Sequence, residues 1–268
     1  MFLDVLNIKN MNKTILTQKM FSVNCDNKKW QYKRLESLAD EFLKGHLMCS
    51  YAPIYNYYTG DGQLLQYQVF GFIVSVLKRV LPNAFIKNGT FMKHLRKKLW
   101  IFLKISRFEK FSLNELIHGL KIKEILPIFD PKSTTKPTIP KSEHDKIKGL
   151  MKNFMHFLFE NFIVDILRSN FYITEAAGSR SRLVFYRHDI WNRLTEPVLE
   201  SFKEDMFQPI ITDSNLLKSL SKARCRLVPK DNGKFRPIMA FRKPPSTVNK
   251  TIILFYNKCV IFFVGGRK

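Results

Sequence analysis

The segment that decides the fold of this chain is Phe171-Tyr-Ile-Thr-Glu175, followed by Arg182-Leu-Val-Phe-Tyr-Arg-His-Asp-Ile-Trp191. Both runs are rich in aromatic and β-branched residues, which favour strands, and Gly178-Ser179 lies between them. Glycine and serine are common where a chain reverses direction between two strands. The pattern therefore predicts a small β-hairpin over Phe171–Thr174 and Arg182–Arg187.

The sequence before this hairpin is dominated by helical periodicity. Val69, Phe72, Ile73, Val76, Leu77 and Val80 recur at the spacing of one helix face until Pro82 stops the run. Ser112 and Glu115 have the spacing of a capping box, which marks the start of another helix. Four prolines among Lys, Ser and Thr, namely Pro127, Pro131, Pro137 and Pro140, predict an exposed linker over about 130–145. The predicted helices cover 30–46, 68–81, 91–105, 113 to about 121, and 144–170.

The sequence after the first hairpin predicts a further helical region over 189–221 and then a second hairpin. The second hairpin is formed by Arg226-Leu-Val-Pro-Lys230 and Phe235-Arg-Pro-Ile-Met-Ala-Phe-Arg242, which flank the turn residues Asp231-Asn-Gly-Lys234. Its two strands are short and apolar, and they carry Lys230 and Arg236. The fold class predicted is mainly α, with two small β elements.

The composition of the chain indicates which class of partner it is expected to bind. The chain has 268 residues with 45 Lys and Arg against 22 Asp and Glu, so its formal net charge is +23. A surplus of this size favours a polyanionic partner, and nucleic acid is more common than an anionic membrane surface. The four cysteines form no CxxC pair and no zinc-binding spacing, and no apolar run reaches the roughly 20 residues that span a bilayer. We therefore predict no metal site and no membrane partner.

A basic and aromatic block lies between Gln68 and Asp130. Its cations can neutralise phosphates, and exposed aromatic rings can stack unpaired bases, which is how single-stranded RNA is held. The alternative is that the rings form the core while the cations form a solvated face. The basic face of the 91–105 helix supplies the predicted RNA contacts Lys93, Arg96, Lys97 and Lys98.

Three groups of motifs together resemble telomerase reverse transcriptase. The 171–191 segment is similar to the family's T motif, and the segment from Gln68-Val-Phe-Gly-Phe72 to Ser106–Leu116 is similar to its QFP region. Arg226–Lys230 and Phe235–Arg242 are similar to motifs 1 and 2 of the reverse-transcriptase fingers. The resemblance implies a helical telomerase RNA-binding domain of two helical lobes with a small β-hairpin, followed by the first strands of the fingers.

The resemblance also implies site residues and a domain order. Lys230 and Arg236 would bind the nucleotide triphosphate, whereas no catalytic residue is expected in this chain. The predicted domains are an N-terminal extension at 1–67, the RNA-binding domain at 68–221, the start of the fingers at 222–243 and a divergent tail at 244–268. The residues of the T motif that would contact RNA are Tyr172, Arg180, Arg182, Tyr186, Arg187 and Trp191. Packing inside the protein is the alternative role for Tyr172 and Trp191.

The family's chemistry is not expected from this chain alone. The family carries out RNA-templated addition of telomeric DNA repeats at chromosome 3′ ends, using Mg²⁺ held by Asp residues of the palm. No Asp or Glu follows Arg242 in this sequence, so we expect a fragment that binds telomerase RNA, holds no cofactor and polymerises nothing. The resemblance further implies a nuclear ribonucleoprotein at telomeres, with telomeric DNA as a partner of the full-length enzyme. The alternatives are a fragment of another reverse transcriptase, such as a retroelement protein, or a generic basic RNA-binding module.

Overall fold

The computed structural model describes residues 12–23, 30–106, 109, 111–131, 140–178, 182–206, 223–230 and 232–241. These residues fall into two compact units. The first unit contains the described residues up to Ile173 together with Arg182–His188, and the second contains 174–178 and the described residues from Asp189 onward. Each unit is described by itself below. The predicted tail at 244–268 and the predicted contact Arg180 lie outside the described residues.

Helices make up most of the first unit, which confirms the mainly helical fold. Their aromatic and aliphatic side chains form one hydrophobic core that includes residues of the most N-terminal helices, such as Leu16, Phe21 and Leu38. The helices are α1 (Lys13–Phe21), α2 (Trp30–Met48), α3 (Tyr51–Tyr58), α4 (Gln66–Val80), α5 (Asn83–Ile86), α6 (Gly89–Lys104), α7 (Leu113–Ile117), α8 (Ile122–Phe129), α9 (Lys141–His156) and α10 (Val164–Asn170).

Helix α4 follows its sequence pattern closely. All six of its periodic apolar side chains are buried, and the helix stops at Val80, just before Leu81-Pro82. Gly45 of α2 packs against the C-terminal end of α4, where a Cβ at that position would lie 2.7 Å from the Val80 carbonyl oxygen. A side chain larger than hydrogen does not fit there, so the glycine sets how closely α2 approaches α4.

Helices α7 and α8 differ from the single helix predicted to end near Lys121. The capping box is present, because the Ser112 Oγ accepts from the Glu115 N–H at 3.2 Å and the Glu115 carboxylate accepts from the Ser112 N–H at 2.7 Å. The helix nevertheless ends at Ile117, and Gly119 adopts a φ of 84°. This left-handed conformation favours glycine and turns the chain, so a separate helix α8 begins at Ile122.

The long helix predicted over 144–170 is confirmed but is not uniform. Helix α9 runs into a π-helical segment at Phe157–Ile163, which continues into α10. Phe154 of α9 is fully buried and stacks on Phe85 with ring centroids 4.4 Å apart. The ring of Phe21 stacks on that of Phe154, with the ring centroids 5.7 Å apart. Side chains of α1 and α5 therefore both pack against this one ring of α9.

The strands of the first predicted hairpin are present in a three-stranded sheet. They are β2 (Phe171–Glu175) and β3 (Leu183–Arg187), and the third strand is β1 (Gln63–Leu64), in the order β1-β3-β2. Strand β1 is antiparallel to β3, with Gln63 opposite Tyr186. No prediction included β1, because two residues are too few to show a strand period.

The second unit contains helix α11 (His188–Met206), which begins at the last residue of the first unit, and the predicted second hairpin. Strands β4 (Ala223–Pro229) and β5 (Phe235–Phe241) pair antiparallel, with Val228 opposite Arg236. The Lys230 N–H donates to the Lys234 carbonyl at 2.8 Å and closes the turn. The Ala177 N–H donates to the Pro229 carbonyl at 2.8 Å, so residues of the 174–178 segment support the turn end of the hairpin.

Within the described part of the chain, no helix is both long and apolar enough to cross a lipid bilayer.

Candidate nucleic-acid interface

A row of cations and aromatic rings lies on the surface of α4 and α6 in the first unit. We call it the cation–aromatic strip, and it consists of Tyr67, Phe70, Arg96, Trp100 and Lys104. The Phe70 and Trp100 rings meet edge to face with centroids 5.4 Å apart. The Arg96 Cζ lies 5.9 Å from the centroid of Phe70, and the Lys104 Nζ lies 4.5 Å from that of Trp100. Both cations are therefore within cation–π distance of a ring.

Helical spacing and one tertiary contact build the strip. Arg96, Trp100 and Lys104 follow each other at four-residue intervals, which places them on one face of α6. On α4, Tyr67 precedes Phe70 by three residues and shares its face. The Gln66 Nε2 donates to the Leu103 carbonyl at 3.3 Å and ties the first turn of α4 to the last turn of α6. The two halves of the strip are thus held side by side.

The strip is accessible to a ligand. Arg96 and Lys104 are exposed, Phe70 and Trp100 are half-buried, and the Tyr67 residue is 62% exposed. Positively charged side chains close to aromatic surfaces suit a single-stranded nucleic acid, because phosphates meet the cations while bases stack on rings. The arrangement can therefore bind a ribonucleotide strand without reading its sequence through base edges.

The basic face predicted for α6 is only partly present. Lys93, Arg96 and Lys97 are exposed as predicted, but the Lys98 residue is only 8% exposed. Burial lowers the pKa of Lys98, and the nearby charge of Lys97 lowers it further. Lys98 follows His94 by one turn, on the face that packs against α7, where the His94 Nε2 donates to the Leu116 carbonyl at 2.7 Å. The placement of Lys98 on the exposed basic face was therefore wrong.

The residues predicted from the T motif differ in exposure in the first unit. Arg182 is exposed, and Tyr172 and Arg187 are half-buried. The guanidinium of Arg187 lies over the ring of Tyr55 at 5.6 Å from its centroid, and the Tyr55 hydroxyl donates to the Asn170 carbonyl at 3.2 Å. The Arg187 side chain is therefore held in place by the end of α3, and its contact with RNA stays a prediction.

Tyr186 and Trp191 are packing residues in this structure, which is the alternative noted for Trp191. The Tyr186 residue is 5% exposed, its hydroxyl donates to Gln63 Oε1 at 3.2 Å, and burial raises its pKa. In the second unit, the Trp191 residue is 6% exposed and its ring meets Phe235 edge to face at 5.7 Å. Neither ring offers the exposed stacking surface that the sequence analysis expected.

The two cations of the second hairpin lie at its turn and on β5. Lys230 and Arg236 are both exposed. An ion pair between the Arg226 guanidinium and the Glu175 carboxylate fixes β4 to the 174–178 segment within the second unit. Among the residues that the structure describes, no three His, Cys, Asp or Glu side chains are grouped as metal ligands. The described residues therefore provide no carboxylate cluster of the kind that could hold Mg²⁺.

Of the five strip residues, sequence reasoning named only Arg96 as a contact. Phe70 and Trp100 belong to the basic and aromatic block without having been assigned a contact, and Tyr67 and Lys104 were missed. The four-residue spacing from Arg96 to Lys104 through Trp100 was a usable signal for Lys104. Tyr67 gave no such signal, because a lone tyrosine before an apolar helix is as often a surface residue as a binding residue. Of the aromatic residues in the basic block, Phe72, Phe85 and Phe91 are fully buried, as the alternative interpretation stated.

Comparison with known families gives a match over half of the chain. Residues 68–202 match the family described as "Telomerase ribonucleoprotein complex - RNA binding domain". The chain is 27% identical over 204 residues to the telomerase reverse transcriptase of Oryza sativa subsp. japonica, covering 72% of this chain and 16% of the relative. It is 28% identical over 255 residues to that of Oxytricha trifallax, covering 90% of this chain and 22% of the relative. The match confirms the resemblance found in the sequence.

Comparison with solved structures supports the fold. A telomerase from Candida tropicalis, solved in complex with a TWJ fragment of telomeric RNA, superposes with a TM-score of 0.71 at 17% identity. The superposition covers 93% of this chain and 37% of that one. At this level of identity the likeness concerns the fold alone. The chain thus spans about a fifth of the length of the two curated relatives above, and about a third of this solved chain.

Proposed function

Because the chain belongs to the telomerase RNA-binding domain family, we propose that it binds telomerase RNA. The RNA lies on the cation–aromatic strip, and Lys93, Lys97 and the predicted arginines Arg182 and Arg187 extend the contact. The chain works as the RNA-holding part of a telomerase ribonucleoprotein. From this role we expect the chain to be located in the nucleus, at the telomeric region of chromosomes.

The strip is the single observation that carries the proposal. Four of its five residues lie within 68–202, the segment that matches the family, and Tyr67 directly precedes that segment. The five residues lie on two helices that pack against each other. Two cations stand over two rings there, whereas most other aromatic residues of α4–α6 are in the core. A net charge of +23 adds long-range attraction for a polyanion. The solved Candida tropicalis telomerase of the same fold holds a fragment of telomeric RNA.

In a complete telomerase, we propose further roles for the second hairpin. Lys230 and Arg236 would neutralise the charge of the incoming nucleotide triphosphate, as a point charge and a planar fork respectively. The full-length enzyme would use Mg²⁺ bound to palm carboxylates and would act on telomeric DNA. This chain has no Asp or Glu after Arg242, so by itself it is expected to bind RNA without extending a primer.

Two other candidate functions have less support than telomerase RNA binding. A retroelement reverse transcriptase shares motifs 1 and 2 but has no segment comparable to 171–191. A generic basic RNA-binding module would use the strip in the same way, but it would have no preference for telomerase RNA over another RNA of equal charge.

Binding specificity tests the proposal. We expect the purified chain to bind a cognate telomerase RNA at least roughly tenfold more tightly than an unrelated stem-loop of equal length, and the preference to persist between 50 mM and 200 mM salt. Specific contacts are less sensitive to salt than counterion release. The dissociation constant for the unrelated stem-loop, divided by that for telomerase RNA, should therefore not fall as the salt concentration rises. Filter binding or fluorescence anisotropy measures both constants. Equal affinity for the two RNAs at both salt concentrations would refute the proposal and favour the generic module.

A further inference from the structure

A second basic surface lies in the first unit, at the bend between α7 and α8. It is an open groove of about 770 Å³, and we call it the α7–α9 groove. Its floor is apolar and is formed by Ile117, Leu120 and Ile122, while Lys121, Lys123 and Lys148 line its rim. The volume lies within the range of about 300–1,000 Å³ that is usual for ligand-binding pockets.

The groove results from the turn that ends α7. Gly119 has a φ of 84° and sends the chain away from the α7 axis, which leaves a concave surface before α8 begins. Apart from Gly119 and its two chain neighbours, no atom lies within 4 Å of the place where a Cβ of Gly119 would stand, so the space beside the turn is open. The first two turns of α9, which carry His144 and Lys148, close the other side.

The rim carries more positive than negative charge. Three lysines line the groove against the single carboxylate of Glu124, and the other polar lining residues include His118 and His144. That carboxylate is already engaged, because it accepts from the Thr90 hydroxyl and pairs with the Lys121 ammonium at 2.9 Å. These two contacts lower the pKa of Glu124, with the Thr90 hydrogen bond as the larger cause. An anionic ligand would therefore meet a net positive rim.

The groove is separate from the cation–aromatic strip. Helix α7 packs on the face of α6 that carries His94 and Lys98, as the hydrogen bond from His94 to the Leu116 carbonyl demonstrates. Arg96 of the strip follows His94 by two residues, which is a rotation of roughly 200° about the helix axis. No residue of α6 lines the groove, whereas the strip lies on α4 and on the Arg96 face of α6, so the two surfaces share no residue.

We propose that the α7–α9 groove binds a single-stranded RNA segment, with a base against the apolar floor and its flanking phosphates on the lysine rim. The inference rests on the proposed RNA-binding function and adds a second contact site to it. The apolar floor suits the face of an unstacked base, and the lysine rim suits a backbone phosphate. With a net charge of +23, the chain attracts long polyanions more strongly than peptides that carry one phosphate.

Photo-cross-linking tests the site directly. The full chain is irradiated with a single-stranded RNA hexamer that contains 4-thiouridine, and the cross-linked peptides are identified by mass spectrometry. We expect a cross-link within 117–122. Lys148→Glu should lower its yield roughly tenfold, because it replaces one charge-assisted phosphate contact with repulsion. Lys146→Glu is the matched control, since Lys146 is an exposed lysine of the same helix outside the groove lining, and it should leave the yield within about twofold.

The outcomes separate this site from the strip. Arg96→Glu with Lys104→Glu should leave the 117–122 cross-link in place, and telomerase RNA affinity measured in parallel reports on the strip. Three results would each overturn the groove assignment: cross-links that form only outside 117–122, equal losses with Lys148→Glu and Lys146→Glu, or displacement of the hexamer by a phosphopeptide at a lower concentration than by unlabelled hexamer. Any of these can occur with telomerase RNA binding intact, so failure of the groove is distinct from failure of the proposed function.

Discussion

Reversing the charge of the two strip cations, by Arg96→Glu with Lys104→Glu, is expected to weaken telomerase RNA binding about 100-fold. Each side chain is exposed and stands over a ring, so each is placed to meet a phosphate beside a stacked base. The loss of two charge-assisted contacts and the added repulsion together account for a change of this order. Neither side chain belongs to the buried core, so the helical content of the chain should be unchanged.

The control removes the same amount of charge elsewhere. Lys19→Glu with Lys33→Glu changes two exposed lysines of α1 and α2, and it alters the net charge equally. Any loss due only to net charge appears in both double variants, whereas a loss due to position appears in the strip variant alone. Fluorescence anisotropy at one salt concentration gives the three dissociation constants needed, those of the unchanged chain and of the two double variants. If the two double variants lose affinity equally, the strip is not the contact surface.

Replacing Phe154 by alanine is expected to lower the free energy of unfolding of the first unit by about 3–5 kcal/mol. The Phe154 ring is fully buried and stacks on Phe85 and Phe21, and the ring of Phe91 lies 6.2 Å away. Its removal leaves a cavity where α1, α5, α6 and α9 meet, and the surrounding rings cannot all collapse into it. A loss of this size is a large part of the roughly 5–15 kcal/mol by which domains are usually stable.

Urea unfolding followed by far-UV circular dichroism measures this loss. Phe154→Leu retains more of the volume and should cost only roughly 1–1.5 kcal/mol. Tyr57→Ala changes a residue that is 81% exposed and should alter the free energy of unfolding by about 0.5 kcal/mol or less. If Phe154→Ala unfolds at the same urea concentration as Tyr57→Ala, the ring cluster does not hold these helices together.

The elements predicted best from the sequence are those whose pattern involves only residues close to one another in the chain. The periodic apolar positions of α4 and the capping box of Ser112 and Glu115 each depend on residues within a few positions of one another, and the structure has both. The same holds for the strands β3 and β5, whose aromatic and β-branched residues mark them without any knowledge of their partners.

The features that were missed depend on tertiary contacts. Lys98 looks like a surface cation in the sequence, but it is buried one turn after His94, which contacts α7 through the Leu116 carbonyl. Strand β1 is recognisable only from its pairing with β3, because two residues carry no period of their own. The early end of α7 depends on the positive φ of Gly119, although a glycine near a helix end was available as a signal.

The strip, too, depends on tertiary contacts that the sequence pattern of one helix does not reveal. The cations of α6 were predicted from a single helix, but the rings they contact come partly from α4. Neither helix alone shows that Phe70 lies under Arg96. Equally, the burial of Tyr186 and Trp191 follows from their contacts with Gln63 and Phe235, which are distant in the sequence.

Lysine footprinting tests most directly the claim that telomerase RNA lies on the exposed face of α6. The chain is acylated with a limiting amine-reactive reagent, free and saturated with telomerase RNA, and each lysine is quantified by mass spectrometry. We predict that RNA protects Lys93, Lys97 and Lys104 by roughly fivefold or more, while Lys19 and Lys33, which are also exposed, react as in the free chain. Unchanged acylation of the three α6 lysines in the saturated complex would contradict the account.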